Sequence, residues 1–215
     1  MADDGITEAI SIVLAPHYST FSVKSYNGRA QDEAAKFGIT INSVESWYDA
    51  EGFIDYWKEA ILAEYEKNGR NRKKRTRCLL SLPIAFLRKF CNMVTHIQSN
   101  YKKTADLIKA KTGIKNLEIG WQSEGNTPDP WLGPDVQDLT RELYNEKGYR
   151  SFIYAPVGFV ADHLEVLYDN DYECKVVCEE LGANYYRPSM PNAHPKFIDT
   201  LATVVLNKYK SNDRS

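Results

Sequence analysis

Short apolar runs alternate with amphipathic stretches along the chain, and this pattern predicts an α/β fold. Runs rich in β-branched and apolar residues predict strands; they cover 8–15, 39–44, 116–120, 151–155 and 183–187. Apolar residues at helical spacing predict helices between the strands; these cover 23–37, 51–67, 104–111, 135–147, 161–181 and 195–210. Because strands and helices alternate, the sheet should be mainly parallel, with ligands beyond the carboxyl ends of its strands.

Residues 68–103 interrupt this periodicity. Arg70-Asn-Arg-Lys-Lys-Arg-Thr-Arg77 places six basic residues in eight, which suits either a polyanion patch or a solvated loop. A net charge of −2 and a pI of about 6.1 argue against a general nucleic-acid binder. The apolar runs are too short to span a membrane, and no secretion signal opens the chain.

The four cysteines match no tetrahedral zinc spacing and are expected to be thiols in a cytosolic chain; they are Cys78, Cys91, Cys174 and Cys178. Cys174 and Cys178 are four residues apart on a predicted helix. They could therefore face one metal ion, or lie in the core as small apolar side chains.

The turn after Ala155 leads into three acidic residues at helical spacing, Glu165, Asp169 and Glu173. This acidic ladder would lie along one helix face, whereas His163 should point to a different side. Like charges at this spacing repel one another, and a divalent cation would relieve the repulsion. On spacing alone, a solvated acidic face partnered by Lys175 or an outside arginine is the better explanation, because surface carboxylates are common.

Two other turns carry candidate ligand groups. The turn after Ala15 could hold an anion or a polar ligand edge, or its hydroxyl groups could simply cap a helix; its polar residues are His17, Ser19, Thr20, Ser22 and Tyr26. The loop between Trp121 and Trp131 contains two prolines and forms either an aromatic wall for a flat ligand or a packed loop.

Three segments resemble the signature regions of ferrochelatases, which insert iron into porphyrins. Gly120-Trp-Gln-Ser-Glu-Gly-Asn-Thr-Pro-Asp-Pro-Trp131 is similar to their signature loop. Pro156-Val-Gly-Phe-Val-Ala-Asp-His-Leu-Glu165 is similar to their metal-site segment, and Leu14-Ala-Pro-His-Tyr-Ser-Thr-Phe-Ser-Val-Lys-Ser-Tyr-Asn27 to their porphyrin-contact turn. The likeness is strongest to the soluble, monomeric coproporphyrin ferrochelatases of bacteria that lack an outer membrane.

The resemblance implies a chelatase-like α/β fold of two Rossmann-like lobes with parallel sheets. Residues 1–45 would be the end of the amino-terminal lobe, 46–195 the carboxy-terminal lobe and 196–215 a closing helix. It also implies a cytoplasmic lyase that inserts Fe²⁺ into coproporphyrin III to form coproheme in haem biosynthesis. Such a protein would be a monomer without a membrane span, a nucleic-acid partner or a tightly bound cofactor.

The resemblance also assigns roles to individual residues. Glu165 is the expected catalytic residue and iron ligand, and Asp169 and Glu173 continue a line of acids that relays protons or holds metal. A second divalent cation is possible at this ladder. Tyr26 and Trp131 are expected to contact the porphyrin.

Two departures support an alternative, an inactive truncated fragment that at most binds metal or porphyrin. The family's amino-terminal strand and porphyrin-clamping arginines have no counterpart, so the chain is expected to open inside that lobe. The family's Ser-Ala-His-Ser-Leu-Pro segment, whose histidine faces the position of Glu165, is also missing. A small cobalt or nickel chelatase is a weaker alternative, which the Trp131 loop and Asp162-His-Leu-Glu165 disfavour.

A double frameshift, entered near Arg70 and closed near Lys103, would explain the missing histidine. In the shifted frame, each new codon joins the third base of one codon with the first two bases of the next. Codon degeneracy from Cys78 to Lys103 then permits the string FIVSAHSLPEKILQYGDPYPVQLQE. This string resembles the missing family segment without a gap. Its histidine falls at the junction of Pro83 and Ile84. On this hypothesis the basic run, Cys78, Cys91 and His96 have no inherited role.

Resequencing the gene tests the frameshift hypothesis. We expect the codons from Cys78 to Lys103 to spell that string in the shifted frame, because degeneracy permits it at every position. Codons that cannot spell it, for example a codon for Pro83 that does not end in C, would rule the hypothesis out.

Overall fold

The computed structural model describes residues 1–67, 77–83, 91–125, 128 and 130–212, with the backbone alone for 21 and 91–95. Within this part of the chain the strands are β1 (Glu8–Ile12), β2 (Thr40–Val44), β3 (Arg77–Ser81), β4 (Leu117–Ile119), β5 (Ser151–Ala155) and β6 (Asn184–Tyr186). The α-helices are α1 (Ser25–Ala35), α2 (Glu51–Lys67), α3 (Cys91–Thr112), α4 (Val136–Glu146), α5 (Leu164–Val166), α6 (Lys175–Leu181) and α7 (Pro195–Asn212).

All strand pairs in the described residues are parallel, which confirms the predicted α/β class. One sheet has the order β4-β3-β5-β6, and β1 and β2 form a second sheet. The two sheets fall in the predicted amino-terminal and carboxy-terminal lobes, but the division into 1–45, 46–195 and 196–215 stays a prediction. No helix in the described residues is both long and apolar enough to cross a membrane.

The four-stranded sheet is buried on both faces. Leu79 and Ile153 point to one face, into a core shared with Trp57 and other residues of α2, α3 and α7. Their neighbours along the strands, including Leu80 and Tyr154, point to the other face, against α4 and α6. Alternating residues of a strand point to opposite faces, so helices cover the sheet on both sides. The carboxyl ends of its strands are therefore held in fixed positions.

The sequence shows no periodicity over 68–103, and the regular elements in its described part were therefore missed. Residues Arg77–Ser81 form the buried strand β3, and α3 begins at Cys91 rather than at 104. Burial explains the error, because a fully buried strand shows no polar–apolar alternation. The remainder of the basic run lies outside the described residues, and so does Ile84, next to which the shifted frame would place its histidine. The frameshift hypothesis therefore stays a prediction.

The turn after β1 buries His17 instead of presenting it to a ligand. Its ring stacks on Tyr101, with 3.7 Å between ring centroids, and its Nε2 lies 2.9 Å from Thr104 Oγ1. The Thr104 hydroxyl donates to a backbone carbonyl, so Nε2 carries the hydrogen and Nδ1 is buried without a partner. Burial lowers the pKa of His17 well below its usual value. This histidine therefore stays neutral in the folded protein.

His17 should make the free energy of unfolding fall in mild acid. Below about pH 6.5 the unfolded chain gains a proton on this residue while the folded chain does not, so stability falls by up to about 1.4 kcal/mol per pH unit. Urea unfolding between pH 7.5 and 5.5 should show this slope, and His17→Phe should reduce it. The exposed His96, changed to Gln, is the control. Equal slopes in wild type and His17→Phe would contradict the buried neutral histidine.

Candidate metal-handling site

The end of β5 positions the segment that carries the acidic ladder. After Ala155 the backbone turns back on the sheet, where Val157 N donates to Ala155 O and Gly158 N to Leu82 O. His163 then caps the amino end of α5 with an extended backbone. The predicted helix at 161–181 therefore begins later, at Leu164, because residues 161–163 are held in this turn.

The ladder lies on a helix whose central turn is wider than an α-helix. Leu167–Cys174 form a π-helix between α5 and α6. A π-helix closes its hydrogen bonds over five residues instead of four and is frequent at functional sites. The predicted spacing thus brings Asp169 and Glu173 to one cavity, although the helix between them is not α-helical.

Asp169 and Glu173 line an inner cavity of about 300 Å³. Its other polar lining includes Gln122, Ser123, Asp135 and Gln137. Ser123 Oγ donates to Asp169 Oδ2, and Gln137 Nε2 donates to Glu173 Oε2 over 3.2 Å. Asp135 caps α4 by accepting from the backbone of Gln137 and Asp138. The inner cavity thus joins the signature loop, α4 and the π-helix.

The carboxylates of the inner cavity raise one another's pKa. Burial raises the pKa of Asp169, and Glu165 and Asp135 add to the effect, outweighing the hydrogen bonds from Ser123 and Gln122. Burial, then Asp169 and Asp135, raise the pKa of Glu173. Burial is also the main reason why the pKa of Asp135 is raised. The cluster therefore holds protons more readily than isolated carboxylates and would favour a cation.

Glu165 lines a second, more open cavity of about 530 Å³, together with His163, Leu164, Tyr168 and Asp169. Leu164 is 81% exposed and Tyr168 is 50% exposed, so apolar groups flank the carboxylate. Asp169 lines both cavities. The three acids predicted from the sequence thus line two adjoining cavities, an open one with apolar walls and a smaller polar one.

Helical spacing placed His163 on the wrong side. This histidine lines the same open cavity as Glu165, and its ring stands edge-on to Phe159 with 4.5 Å between centroids. The reason is its extended backbone at the helix cap, where helical geometry does not yet apply. The capping position itself could have signalled this, because the chain enters the helix only after this residue.

The predicted porphyrin contacts line neither of these two cavities. Tyr26 is 57% exposed on α1. Trp131 is half-buried and packs on Gly125, where an added Cβ would lie 2.7 Å from Trp131 Cζ2. Gly125 therefore lets the signature loop close on the indole ring. The roles of Tyr26 and Trp131 in porphyrin binding stay predictions.

The cysteine pair does not face a metal site. Cys174 and Cys178 are both buried in the core beneath β5, and Tyr154 Oη lies 3.2 Å from Cys178 Sγ. Burial raises the pKa of Cys178 to about 11 and that of Cys174 well above its usual value. Both thiols are therefore protonated packing groups. Arg77, from the basic run, is buried as well, and its guanidinium lies over the Tyr65 ring.

Across the residues that the structure describes, no three His, Cys, Asp or Glu side chains are grouped as a ready metal shell. A metal ion at the ladder would therefore have few protein ligands and would need other donors to complete its shell. Few carboxylate ligands suit an ion that is passed on, whereas resident structural metals have closed shells.

The fold is that of a chelatase. The structure resembles sirohydrochlorin chelatase SirB of Bacillus subtilis subspecies spizizenii in complex with cobalt, with a TM-score of 0.64, 11% identity and coverage of 99% of this chain and 74% of that one. It also resembles SirB of Bacillus subtilis with Fe³⁺, with a TM-score of 0.65, 13% identity and coverage of 97% and 75%. At these identities the likeness establishes the fold alone.

The family model "Ferrochelatase" matches residues 1–209. The chain is 59% identical over 214 residues to the coproporphyrin III ferrochelatase of Oceanobacillus iheyensis, covering 100% of this chain and 68% of that protein. It is 56% identical over 209 residues to that of Bacillus subtilis strain 168, covering 97% and 67%. The chain belongs to the ferrochelatase family and spans about two thirds of the length of these relatives.

Replacing Asp169 with Asn should raise the melting temperature at pH 7. The change removes a half-buried charge beside Glu165 and Asp135, while the amide oxygen can still accept the hydrogen bond from Ser123. The gain should shrink as the pH falls, since Asp169 itself then becomes protonated. Calorimetry with the exposed Glu142→Gln as control tests this. A lower melting temperature for Asp169→Asn would contradict the repulsion described above.

Proposed function

We propose that this chain is a coproporphyrin III ferrochelatase of the lyase class, which inserts Fe²⁺ into coproporphyrin III to form coproheme in haem biosynthesis. Family membership and the names of the relatives support the reaction. The observation that carries the proposal is that Asp169 lines both cavities, so acids lead from the open cavity to the smaller polar one. By the same resemblance we expect a cytoplasmic monomer.

The open cavity suits one face of a flat macrocycle. Leu164 and Tyr168 present apolar surface on either side of Glu165, and Tyr168 packs against Tyr172 with 5.4 Å between ring centroids. Exposed apolar side chains around a single polar group are typical of ligand sites. We propose that a porphyrin lies here with its central nitrogens above the Glu165 carboxylate, and that Tyr26 and Trp131 contact other parts of the ring.

Glu165 is the proposed catalytic residue and the ligand that hands over the metal. Inserting Fe²⁺ forms bonds from the metal to the pyrrole nitrogens and releases two N–H protons. A lone carboxylate can bind Fe²⁺ and release it again, because a carboxylate alone gives no closed shell. It can also accept a proton from the macrocycle once the metal has left.

Asp169 and Glu173 are proposed to move protons and to hold metal behind Glu165. Their raised pKa makes each of them a better proton acceptor than an ordinary carboxylate. The ladder thus offers a route for protons from the open cavity into the inner one. A second divalent cation at Asp169 and Glu173 would lower the repulsion between them and stays part of this proposal.

Metallation of coproporphyrin III tests the proposed activity. The purified chain would be mixed with Fe²⁺ and coproporphyrin III without oxygen, and the porphyrin absorbance followed. We expect turnover, which Glu165→Gln should lower by about two to four orders of magnitude, the usual contribution of a positioned acid or base. The exposed Glu146→Gln should leave it unchanged.

Two results would contradict the proposal. Turnover by Glu165→Gln at the wild-type rate would remove Glu165 from the reaction. A shift of the porphyrin spectrum without metal insertion in the wild-type chain would show a protein that binds porphyrin but does not metallate it.

A further inference from the structure

Arg187 links the two ends of the segment that carries Glu165. It follows β6 directly, and its side chain is only 14% exposed. Nε lies 2.6 Å from Asp171 Oδ1 and Nη2 lies 2.8 Å from Asp171 Oδ2, a two-point contact. The same Nη2 lies 3.1 Å from Asp162 Oδ1. One guanidinium therefore joins a residue before α5 to a residue in the π-helix.

The two aspartates enclose the proposed catalytic residue in sequence. Asp162 lies in the turn before α5, and Asp171 lies in the middle of Leu167–Cys174, with Glu165 between them. Asp171 is two residues from both Asp169 and Glu173 and so points away from the inner cavity. The ladder faces the cavity on one side of the helix, and Arg187 holds the other side.

The strand that precedes Arg187 and the loop that follows it are themselves fixed. Tyr186 pairs with Ile153 of β5, so Arg187 extends from the sheet. Further along, Asn192 N donates to Val160 O, Asn192 Oδ1 accepts from Asp162 N, and Asn192 Nδ2 donates to Asp162 Oδ2. Tyr56 Oη on α2 donates to Ser189 O over 2.9 Å. Because the sheet fixes Arg187, its contacts fix the π-helix relative to the sheet.

The contact is stronger than a typical surface ion pair. The side chains of Arg187 and Asp171 are only 14% and 37% exposed, so water screens the pair less than it would at an open surface. Tyr185 Oη donates to Asp171 Oδ1 over 2.7 Å. Two-point arginine–carboxylate contacts fix orientation as well as distance, and a lysine ammonium cannot reproduce them.

We infer that Arg187 is a positioning residue that fixes the Glu165 carboxylate against the porphyrin by bridging Asp162 and Asp171. This inference rests on the proposed function. Glu165 itself is exposed, so its direction depends on the turn before it and on the π-helix after it. With the bridge broken, that segment should open more often and Glu165 should point in variable directions. Metal transfer would then slow, while porphyrin binding would change little.

The test compares Arg187→Lys with wild type in two measurements. Hydrogen exchange of the amides of 162–174 reports on the bridge, and metallation kinetics report on the reaction. We expect exchange to rise at least tenfold there and kcat to fall about tenfold, with KM for coproporphyrin III unchanged. Arg150→Lys, which alters contacts with Tyr144 at the amino end of β5, is the matched control and should change neither. Asp162→Asn removes the charge from one arm of the bridge and should give a smaller effect in the same direction.

The outcomes separate the bridge from the proposed function. Unchanged exchange in Arg187→Lys overturns the inference whatever the kinetics show. Raised exchange with unchanged kcat also overturns it, because the bridge would then be structural only. A wild-type chain that does not metallate overturns the proposed function and the positioning role with it, even where exchange shows that the bridge exists. If Arg187→Lys fails to fold, Asp162→Asn is judged by the same criteria.

Discussion

Strand β5 is hydrogen-bonded along both edges, to β3 on one side and β6 on the other, and all of its residues are buried. The positions of the functional groups depend on this constraint. The carboxyl end of β5 leads into the turn that places His163 and Glu165, and the neighbouring β6 leads into Arg187. Parallel strands end at the same edge of a sheet, so both groups arise from one rigid border. The acids on α5 and the π-helix are therefore set by the sheet.

The buried carboxylates around the π-helix lower the stability of the folded chain and provide groups that can bind protons or metal. Asp169, Glu173 and Asp135 each have a raised pKa because burial disfavours their charges and each lies near another carboxylate. Clusters of perturbed carboxylates are typical of catalytic sites. The π-helix tolerates Asp169 and Glu173 because Arg187 neutralises Asp171 on its opposite side, because Ser123 and Gln122 of the signature loop donate to Asp169, and because Gln137 donates to Glu173.

The sequence predicted the α/β class and most elements, and it brought the acids of the ladder together, because periodic burial leaves a clear pattern. Three features escaped it. Strand β3 is apolar on both faces, so its sequence shows no polar–apolar alternation. The shifted-frame string FIVSA is also apolar and would show none either. His163 escaped because its backbone is extended, and Arg187 because its partners are distant in sequence. An ion pair between segments that are distant in sequence leaves no local sequence pattern, so the Arg187 bridge is visible only in the structure.

Glu165 is proposed to bind the metal at the face of the porphyrin. Crystals of the chain grown with coproporphyrin III and Co²⁺, as a stand-in for Fe²⁺, would locate the metal by anomalous scattering. We expect a cobalt peak within about 2.2 Å of a Glu165 carboxylate oxygen, a usual metal–carboxylate distance, on the side facing the macrocycle nitrogens. A porphyrin bound elsewhere, or cobalt bound in the porphyrin cleft on the face away from Glu165, would contradict it.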